Sequence, residues 1–173
     1  ILWPKRREKT SQGFELQFGV NHLGHFALTG LLLNVIKNTQ GSRVITQSSL
    51  AHRFNADIQF DDLNWNRNYN KVKAYAQSKL ANVLFTYELD RQFKSHAINA
   101  MAIASHPGFS NTGLFQHASP FVSFFGELLG QKAEIAVMPV LRAATDKELH
   151  GAEYIGPTGI FELAGYPGIV RSA

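Results

Sequence analysis

The sequence contains no cysteine, so a disulfide framework and a cysteine-ligated metal site are both excluded. It also contains no long apolar run, because the stretch from Leu28 to Ile36 is far shorter than the ~20 residues of a membrane span. Low-complexity segments and internal repeats are absent as well. A chain of 173 residues with 45% hydrophobic and 17% charged residues is expected to form one globular domain.

The formal net charge of +4 comes mostly from one short segment near the start of the chain. Lys5, Arg6, Arg7 and Lys9 lie beside a single acidic residue, Glu8, which leaves 13 basic and 12 acidic residues beyond position 10. A local basic patch of this kind is usually a solvated loop. No recognisable nucleic-acid-binding module accompanies it, so no nucleic-acid partner is expected.

A tyrosine and a lysine four residues apart, Tyr75 and Lys79, open a predicted helix. Residues at this spacing share one helix face, so the phenol and the ammonium would lie side by side. The nearby cation is expected to lower the tyrosine pKa, which allows the phenol to exchange a proton with a carbonyl or alcohol oxygen. Ser49, at the end of a short apolar strand, is a candidate donor to the same oxygen. A solvated amphipathic edge is the alternative interpretation of the Tyr–Lys pair.

The order of four motifs favours the catalytic interpretation. Along the chain they are Val20-Asn21-His22-Leu23-Gly24-His25-Phe26, Arg43-Val44-Ile45-Thr46-Gln47-Ser48-Ser49, Tyr75-Ala76-Gln77-Ser78-Lys79 and His106-Pro107-Gly108-Phe109-Ser110-Asn111-Thr112. Together they resemble the short-chain dehydrogenase/reductase family over nearly the whole chain. The amino-acid sequences of these motifs are most similar to those of the branch that contains retinol dehydrogenases and protochlorophyllide reductase.

The resemblance implies an α/β fold, the C-terminal part of a Rossmann-type doubly wound parallel sheet, with residues 1–173 forming a single, incomplete domain of this kind. It implies that Tyr75 is the acid–base, that Lys79 tunes its pKa and binds the ribose, and that Ser49 positions the substrate oxygen. It also implies a kinked turn in which Asn21 holds a water linked to Lys79. The implied cofactor is NADP or NAD, bound by Asn21, Tyr75 and Lys79 and at its nicotinamide end by Pro107, Gly108 and Thr112. No metal is implied.

The family's glycine-rich turn, Gly-x-x-x-Gly-x-Gly, has no counterpart in this sequence. The chain is therefore expected to be the C-terminal part of a larger enzyme. A cytoplasmic location fits the lack of cysteine. A membrane anchor outside the printed sequence stays an open alternative, since some retinol dehydrogenases are said to carry one.

Hydrophobic periodicity predicts the remaining elements. A helix from about Ser11 is apolar on nearly all sides, so it should be buried on more than one side, and the family implies that it packs on its twin in a homo-oligomer. The other predicted elements are a strand at 43–47, a helix at 73–94 with Leu80, Val83, Leu84 and Tyr87 on its buried stripe, a buried strand at 98–104, a helix at 131–145, and a short strand near 151–157 followed by a loop.

Three further segments have both a functional and a structural interpretation. Residues 109–130 are rich in phenylalanine and are interpreted either as a mobile lid over an apolar substrate or as an ordinary pair of packed helices. Asp61 and Asp62 are interpreted as turn residues rather than metal ligands. His106 is interpreted as a hydrogen-bonding loop residue, since Tyr75 already fills the acid–base role.

These observations predict an oxidoreductase that transfers a hydride between NAD(P)(H) and a small carbonyl or alcohol substrate, with Tyr75 as acid–base. The alternative is a truncated, inactive chain that serves as a structural or interaction fragment. The missing glycine-rich half motivates it, because it would leave an apolar sheet edge open.

Overall fold

The computed structural model describes residues 3–109 and 131–172. Within them lies a four-stranded sheet in the order β1–β2–β3–β4, in which β1, β2 and β3 are parallel and β4 is antiparallel. The strands are β1 (Ser42–Gln47), β2 (Ala100–Ser105), β3 (Tyr154–Pro157) and β4 (Pro167–Ile169). The predicted α/β, Rossmann-type class is confirmed. The antiparallel strand β4 was not expected, because its glycine and proline indicated a loop.

The helices are α1 (Leu16–Phe18), α2 (Gly24–Asn38), α3 (Lys71–Ser95), α4 (Ala133–Ala136) and α5 (Met138–Thr145). A π-helical turn, Gly19–Leu23, joins α1 to α2. Short 3₁₀ turns lie at Leu50–Arg53, Phe60–Asp62 and Ile160–Glu162. Among the described helices, none is both long enough and apolar enough to cross a lipid bilayer.

Strand β2 lies at the centre of the core. Its register pairs Ile103 with Ile45 of β1, and successive residues of a strand face opposite sides of the sheet. On one side, Ile103 packs with Ala143 and Ile155, while on the other Ala104 packs with Val83 and Tyr154. Helices α5 and α3 therefore cover opposite faces of the sheet.

Helix α3 is anchored at both ends by polar side chains. Asn70 caps its N-terminus, where its side-chain oxygen accepts from the backbone N–H groups of Val72 and Lys73. Near its C-terminus the buried Asp90 accepts from the backbone N–H of Ala102 and pairs with Lys94. These contacts fix α3 along β2, and with it the position of the Tyr–Lys motif.

Helix α2 is the most exposed of the long helices, and the described parts of a single chain bury none of its residues. Its predicted burial on more than one side includes packing on a twin helix of a second copy, and it stays a prediction. The large apolar side chains that it exposes are Phe26, Leu28, Leu31, Leu32 and Val35. Leu84 of α3, predicted to lie on the buried stripe, is also exposed, whereas Val83 is buried as expected.

Candidate active site

Tyr75 lies on the second turn of α3, enclosed except for 8% of its surface. Burial raises the pKa of Tyr75, and the Ser49 side chain beside the phenol opposes that rise. The sequence prediction of a lowered tyrosine pKa is therefore not met in this structure, because the cost of burying a phenolate exceeds the stabilising effects around it.

Lys79 lies one helical turn after Tyr75, with its ammonium nitrogen 5.6 Å from the centre of the Tyr75 ring. The same Nζ atom donates to the backbone carbonyl of Gln47, at the end of β1, over 3.2 Å. Burial lowers the pKa of Lys79 to about 8, so the group stays largely protonated at neutral pH. The structure thus places a cation beside the phenol, as the four-residue spacing predicts.

Ser49 lies just beyond the end of β1 and adopts an extended conformation before the 3₁₀ turn Leu50–Arg53. Its side-chain oxygen accepts from the backbone N–H of Ala51, which caps this turn. The carboxyl end of a parallel strand is where open α/β sheets place their ligands. Ser49, Tyr75 and Lys79 therefore meet at this edge of the sheet.

Asn21 lies within the π-helical turn, which matches the kink that the family resemblance implies. Its side-chain nitrogen donates to the Ser78 hydroxyl over 3.2 Å, and that hydroxyl donates to the Tyr75 carbonyl. The Asn21 side chain is buried, and its partner Ser78 lies between Tyr75 and Lys79 along α3. Asn21 thus supports the helical turn that carries the Tyr–Lys pair.

The Pro107–Gly108 turn follows β2 and is held by side chains rather than by a regular element. The Gly108 N–H donates to Nδ1 of His106, and the Pro107 carbonyl accepts from Gln131 over 2.6 Å. Gly108 has a φ of +71°, and a Cβ there would lie 2.5 Å from the Leu163 carbonyl oxygen, so only glycine fits. Thr112 and residues 110–130 of the predicted lid lie outside the described residues.

His106 is fully buried and neutral. Because Nδ1 accepts from Gly108, the ring proton lies on Nε2, which donates to Glu162 over 3.2 Å. Burial lowers the pKa of His106 to about 4. The interpretation of His106 as a hydrogen-bonding loop residue is confirmed.

Asp62 is a turn residue. It accepts from the backbone N–H groups of Asn66 and Arg67, as predicted for a turn aspartate.

A second polar cluster lies beside the first and was missed by sequence reasoning. Tyr154 of β3 stacks on His106, meets the His52 ring edge-on and lies beneath the Arg53 guanidinium. Its hydroxyl lies 3.3 Å from Nδ1 of His52 and near the Ser48 side chain. Burial raises the pKa of Tyr154. No motif marked this tyrosine, because its partners come from two segments distant in sequence, residues 48–53 and His106.

Known proteins resemble this chain in sequence and in fold. No protein-family model matches the chain. Human retinol dehydrogenase 13 is 46% identical over 149 residues, which are 81% of this chain and 44% of that protein. The crystal structure of an uncharacterized protein from Mycobacterium paratuberculosis, 38% identical, superposes with a TM-score of 0.76 over 99% of this chain and 56% of its own.

In sequence and fold, the chain is of the short-chain dehydrogenase/reductase type. It spans less than half the length of the curated relatives that it matches first. A short-chain dehydrogenase from Shigella flexneri, solved in complex with NADP, shares the fold at 21% identity and a TM-score of 0.56, covering 79% of this chain and 50% of that one.

Proposed function

We propose that this chain carries the catalytic side chains of an NAD(P)(H)-dependent oxidoreductase that interconverts a carbonyl and an alcohol. The observation that carries the proposal is the buried Tyr75 phenol, with the Ser49 side chain beside it and the Lys79 ammonium 5.6 Å from its ring. A proton donor, an oxygen-positioning hydroxyl and a fixed cation in one place are the groups that carbonyl reduction requires of a protein. The 46% identity to a retinol dehydrogenase supports the same reaction type.

Each side chain has a distinct role in this proposal. The Tyr75 hydroxyl gives its proton to the oxygen that becomes an alcohol, or takes the proton from an alcohol in the reverse direction. The Ser49 hydroxyl donates a hydrogen bond that holds the oxygen and stabilises its developing charge. The Lys79 ammonium favours the phenolate that Tyr75 becomes after proton transfer. Asn21 supports the helical turn between them.

The residues present fit one end of a nicotinamide cofactor. Tyr75, Lys79 and Asn21 supply hydroxyl, ammonium and amide groups suited to the hydroxyls of a ribose, while Pro107 and Gly108 offer a tight turn beside them. A bound nicotinamide supplies or accepts the hydride. The same turn leads into Thr112, the remaining residue proposed for the nicotinamide end. The cofactor is NADP or NAD, and the sequence has no glycine-rich turn for the pyrophosphate.

The proposed substrate is an apolar small molecule that is an aldehyde, ketone or alcohol. Two relatives are named for retinol and for polyprenol, retinol dehydrogenase 13 and polyprenol dehydrogenase. The phenylalanine-rich residues 109–130 are the proposed lid over such a molecule. Cytoplasmic location and the absence of a nucleic-acid partner are part of the proposal, and membrane contact is left open.

A homo-oligomer is also proposed, through helix α2. This helix exposes Leu28, Leu31 and Val35, which recur at three- and four-residue steps on one face, and Leu31 is 83% exposed. A row of apolar side chains that finds no cover among the described residues is expected to pack against another surface. The same exposed row also suits the alternative, an inactive chain that serves only as an interaction fragment.

Turnover by the full chain separates these two candidates. The purified protein is mixed with NADPH or NADH and a series of apolar aldehydes that includes retinaldehyde, and cofactor oxidation is followed by its absorbance at 340 nm. The enzyme proposal predicts turnover that is lost in Tyr75→Phe, while the affinity for the cofactor is retained. Folded protein that oxidises neither cofactor with any aldehyde would favour the inactive fragment.

A further inference from the structure

Asn82 contacts two segments of the site, the π-helical turn that contains Asn21 and the end of strand β1. It lies on α3, three residues after Lys79, and only 2% of its surface is exposed. Its side-chain nitrogen donates to two backbone carbonyls, that of Asn21 in the π-helical turn and that of Gln47 at the end of β1, each over 3.0 Å. Gln47 is the residue whose carbonyl also accepts from the Lys79 ammonium.

The orientation of the Asn82 amide follows from its partners. Backbone carbonyls can only accept hydrogen bonds, so the group that faces Asn21 and Gln47 must be the NH₂ group. The amide oxygen then faces Nδ1 of His22, 3.0 Å away. Because that oxygen is an acceptor, Nδ1 of His22 must carry the ring proton. His22 thus holds the Asn82 amide in the orientation that both carbonyls require.

This support acts on a π-helical turn. The Gly24 N–H bonds the Gly19 carbonyl five residues earlier, which widens the turn relative to an α-helix. Asn82 donates to the Asn21 carbonyl from another helix, so its amide ties this turn to α3.

We propose that Asn82 is a positioning residue of the site: its amide fixes the Asn21 turn and the Gln47 carbonyl on which the Lys79 ammonium rests. In this role Asn82 touches neither substrate nor cofactor. It acts through Lys79, whose place beside the Tyr75 ring depends on the Gln47 acceptor. The proposal rests on the proposed function only for its effect on turnover, since the hydrogen-bond geometry stands by itself.

The first test measures the pKa of Lys79 by NMR. The full chain is labelled with ¹³C-lysine, the ¹³Cε resonance is recorded as a function of pH, and the Lys79 signal is assigned by its loss in Lys79→Arg. Asn82→Asp replaces the NH₂ group by a carboxylate close to the ammonium, and we expect the Lys79 pKa to rise by about half a unit or more. Asn82→Leu removes both donated hydrogen bonds without adding charge, and we expect the Lys79 pKa to fall as the ammonium loses its fixed acceptor.

Thr86→Val is the matched control. Thr86 is also buried on α3, and among the residues that the structure describes its hydroxyl bonds only within the helix, to the Asn82 carbonyl over 2.8 Å. This variant should leave the pKa of Lys79 unchanged. His22→Phe supplies an independent arm, because it keeps a ring near Phe18, Phe26 and Phe85 but removes the N–H that orients Asn82. It should shift the Lys79 pKa in the same direction as Asn82→Leu, by less.

Turnover is the second readout. Asn82→Leu should lose about tenfold or more in kcat, the factor that one buried hydrogen bond represents, measured at a temperature at which both this variant and Thr86→Val remain folded. An unchanged Lys79 pKa in Asn82→Asp, Asn82→Leu and His22→Phe would overturn the proposal, as would full kcat in Asn82→Leu. If the pKa shifts as expected but the wild-type chain has no turnover, the proposed function fails and the positioning role stands.

Discussion

Tyr75 and Tyr154 lie on either side of the Ser48–Ser49 pair, and their surroundings differ. Both are buried, and burial raises the pKa of each. The hydroxyl of Tyr154 is enclosed by Ser48 and His52, beside a stacked His106. The hydroxyl of Tyr75 has the Ser49 side chain, and its ring has the Lys79 ammonium. Neighbouring serines thus serve different tyrosines, because successive residues of an extended chain point to opposite sides.

This difference shows that burial and a perturbed pKa do not by themselves identify an acid–base residue. Tyr154 is held by neutral histidines and by an Arg53–Glu162 ion pair, an arrangement that fixes three loops to each other. Tyr75 has a cation near its ring, which favours the phenolate state that proton transfer creates. On the proposed function, the Tyr75 environment serves proton transfer, whereas the Tyr154 environment holds these loops together.

Substitution of the two serines should give the largest difference in effect between the Tyr75 and Tyr154 environments. Ser49→Ala removes the donor to the reacting oxygen, and turnover should fall about 10²- to 10³-fold. Ser48→Ala removes a partner of Tyr154 and of the Lys79 carbonyl, and should lower the free energy of unfolding by about 1–2 kcal/mol while sparing turnover. Steady-state kinetics and urea denaturation of both variants measure these effects. The reverse pattern would mean that the two roles have been exchanged.

The pH dependence of stability in acid should report on the Tyr154 environment. His106 has a pKa of about 4 in the folded chain and 6.5 as its ordinary value, so the unfolded chain binds more protons between these pH values. The stabilisation is complete above pH 6.5 and is lost as the pH falls toward 4, by up to about 3 kcal/mol. Urea denaturation at several pH values should therefore show a shallower loss in His106→Gln than in the wild type.

The control for this measurement is His150→Gln, which changes an exposed histidine and should leave the acid slope as it is in the wild type. An equal slope in His106→Gln and the wild type would contradict a buried, neutral His106.

A smaller effect in alkali should report on the Tyr75 environment. The pKa of Lys79 is about 8 in the folded chain, below its ordinary value of 10.5, so burial of the ammonium costs stability below pH 8. As the pH rises from 8 toward 10 this cost is relieved. The wild type should gain about 1–2 kcal/mol relative to Lys79→Met, a range reduced because Lys79 is partly exposed. A constant difference between the two proteins would show that Lys79 is not desolvated.

Local sequence patterns predicted the parts of the structure that depend on short segments. The structure confirms that Lys79 lies beside the Tyr75 ring, that Ser49 follows the end of β1 and that strand β2 is buried. Each of these predictions depends on a single element and its periodicity. Strand β4 was missed, since its pairing with β3 is decided by the tertiary fold rather than by the local propensity of a Gly- and Pro-rich segment.

Long-range contacts account for the other differences. Asn82 bonds residues 61 and 35 positions away, and no short motif encodes such a contact. Its sequence signal was weak but present: asparagine is a poor helix former, and Asn82 lies in the middle of the 25-residue helix α3. The raised pKa of Tyr75 was missed because the spacing of two residues says nothing about how deeply either is buried.

The most direct test of the central claim compares Tyr75→Phe with Tyr154→Phe in the full chain. Each variant removes one buried hydroxyl, so the pair separates proton transfer from the cost of losing a hydrogen bond. Turnover with saturating cofactor should be abolished in Tyr75→Phe with cofactor affinity retained, and should persist in Tyr154→Phe. Normal turnover in Tyr75→Phe, or its loss in a folded Tyr154→Phe alone, would contradict the assignment of Tyr75 as the acid–base residue.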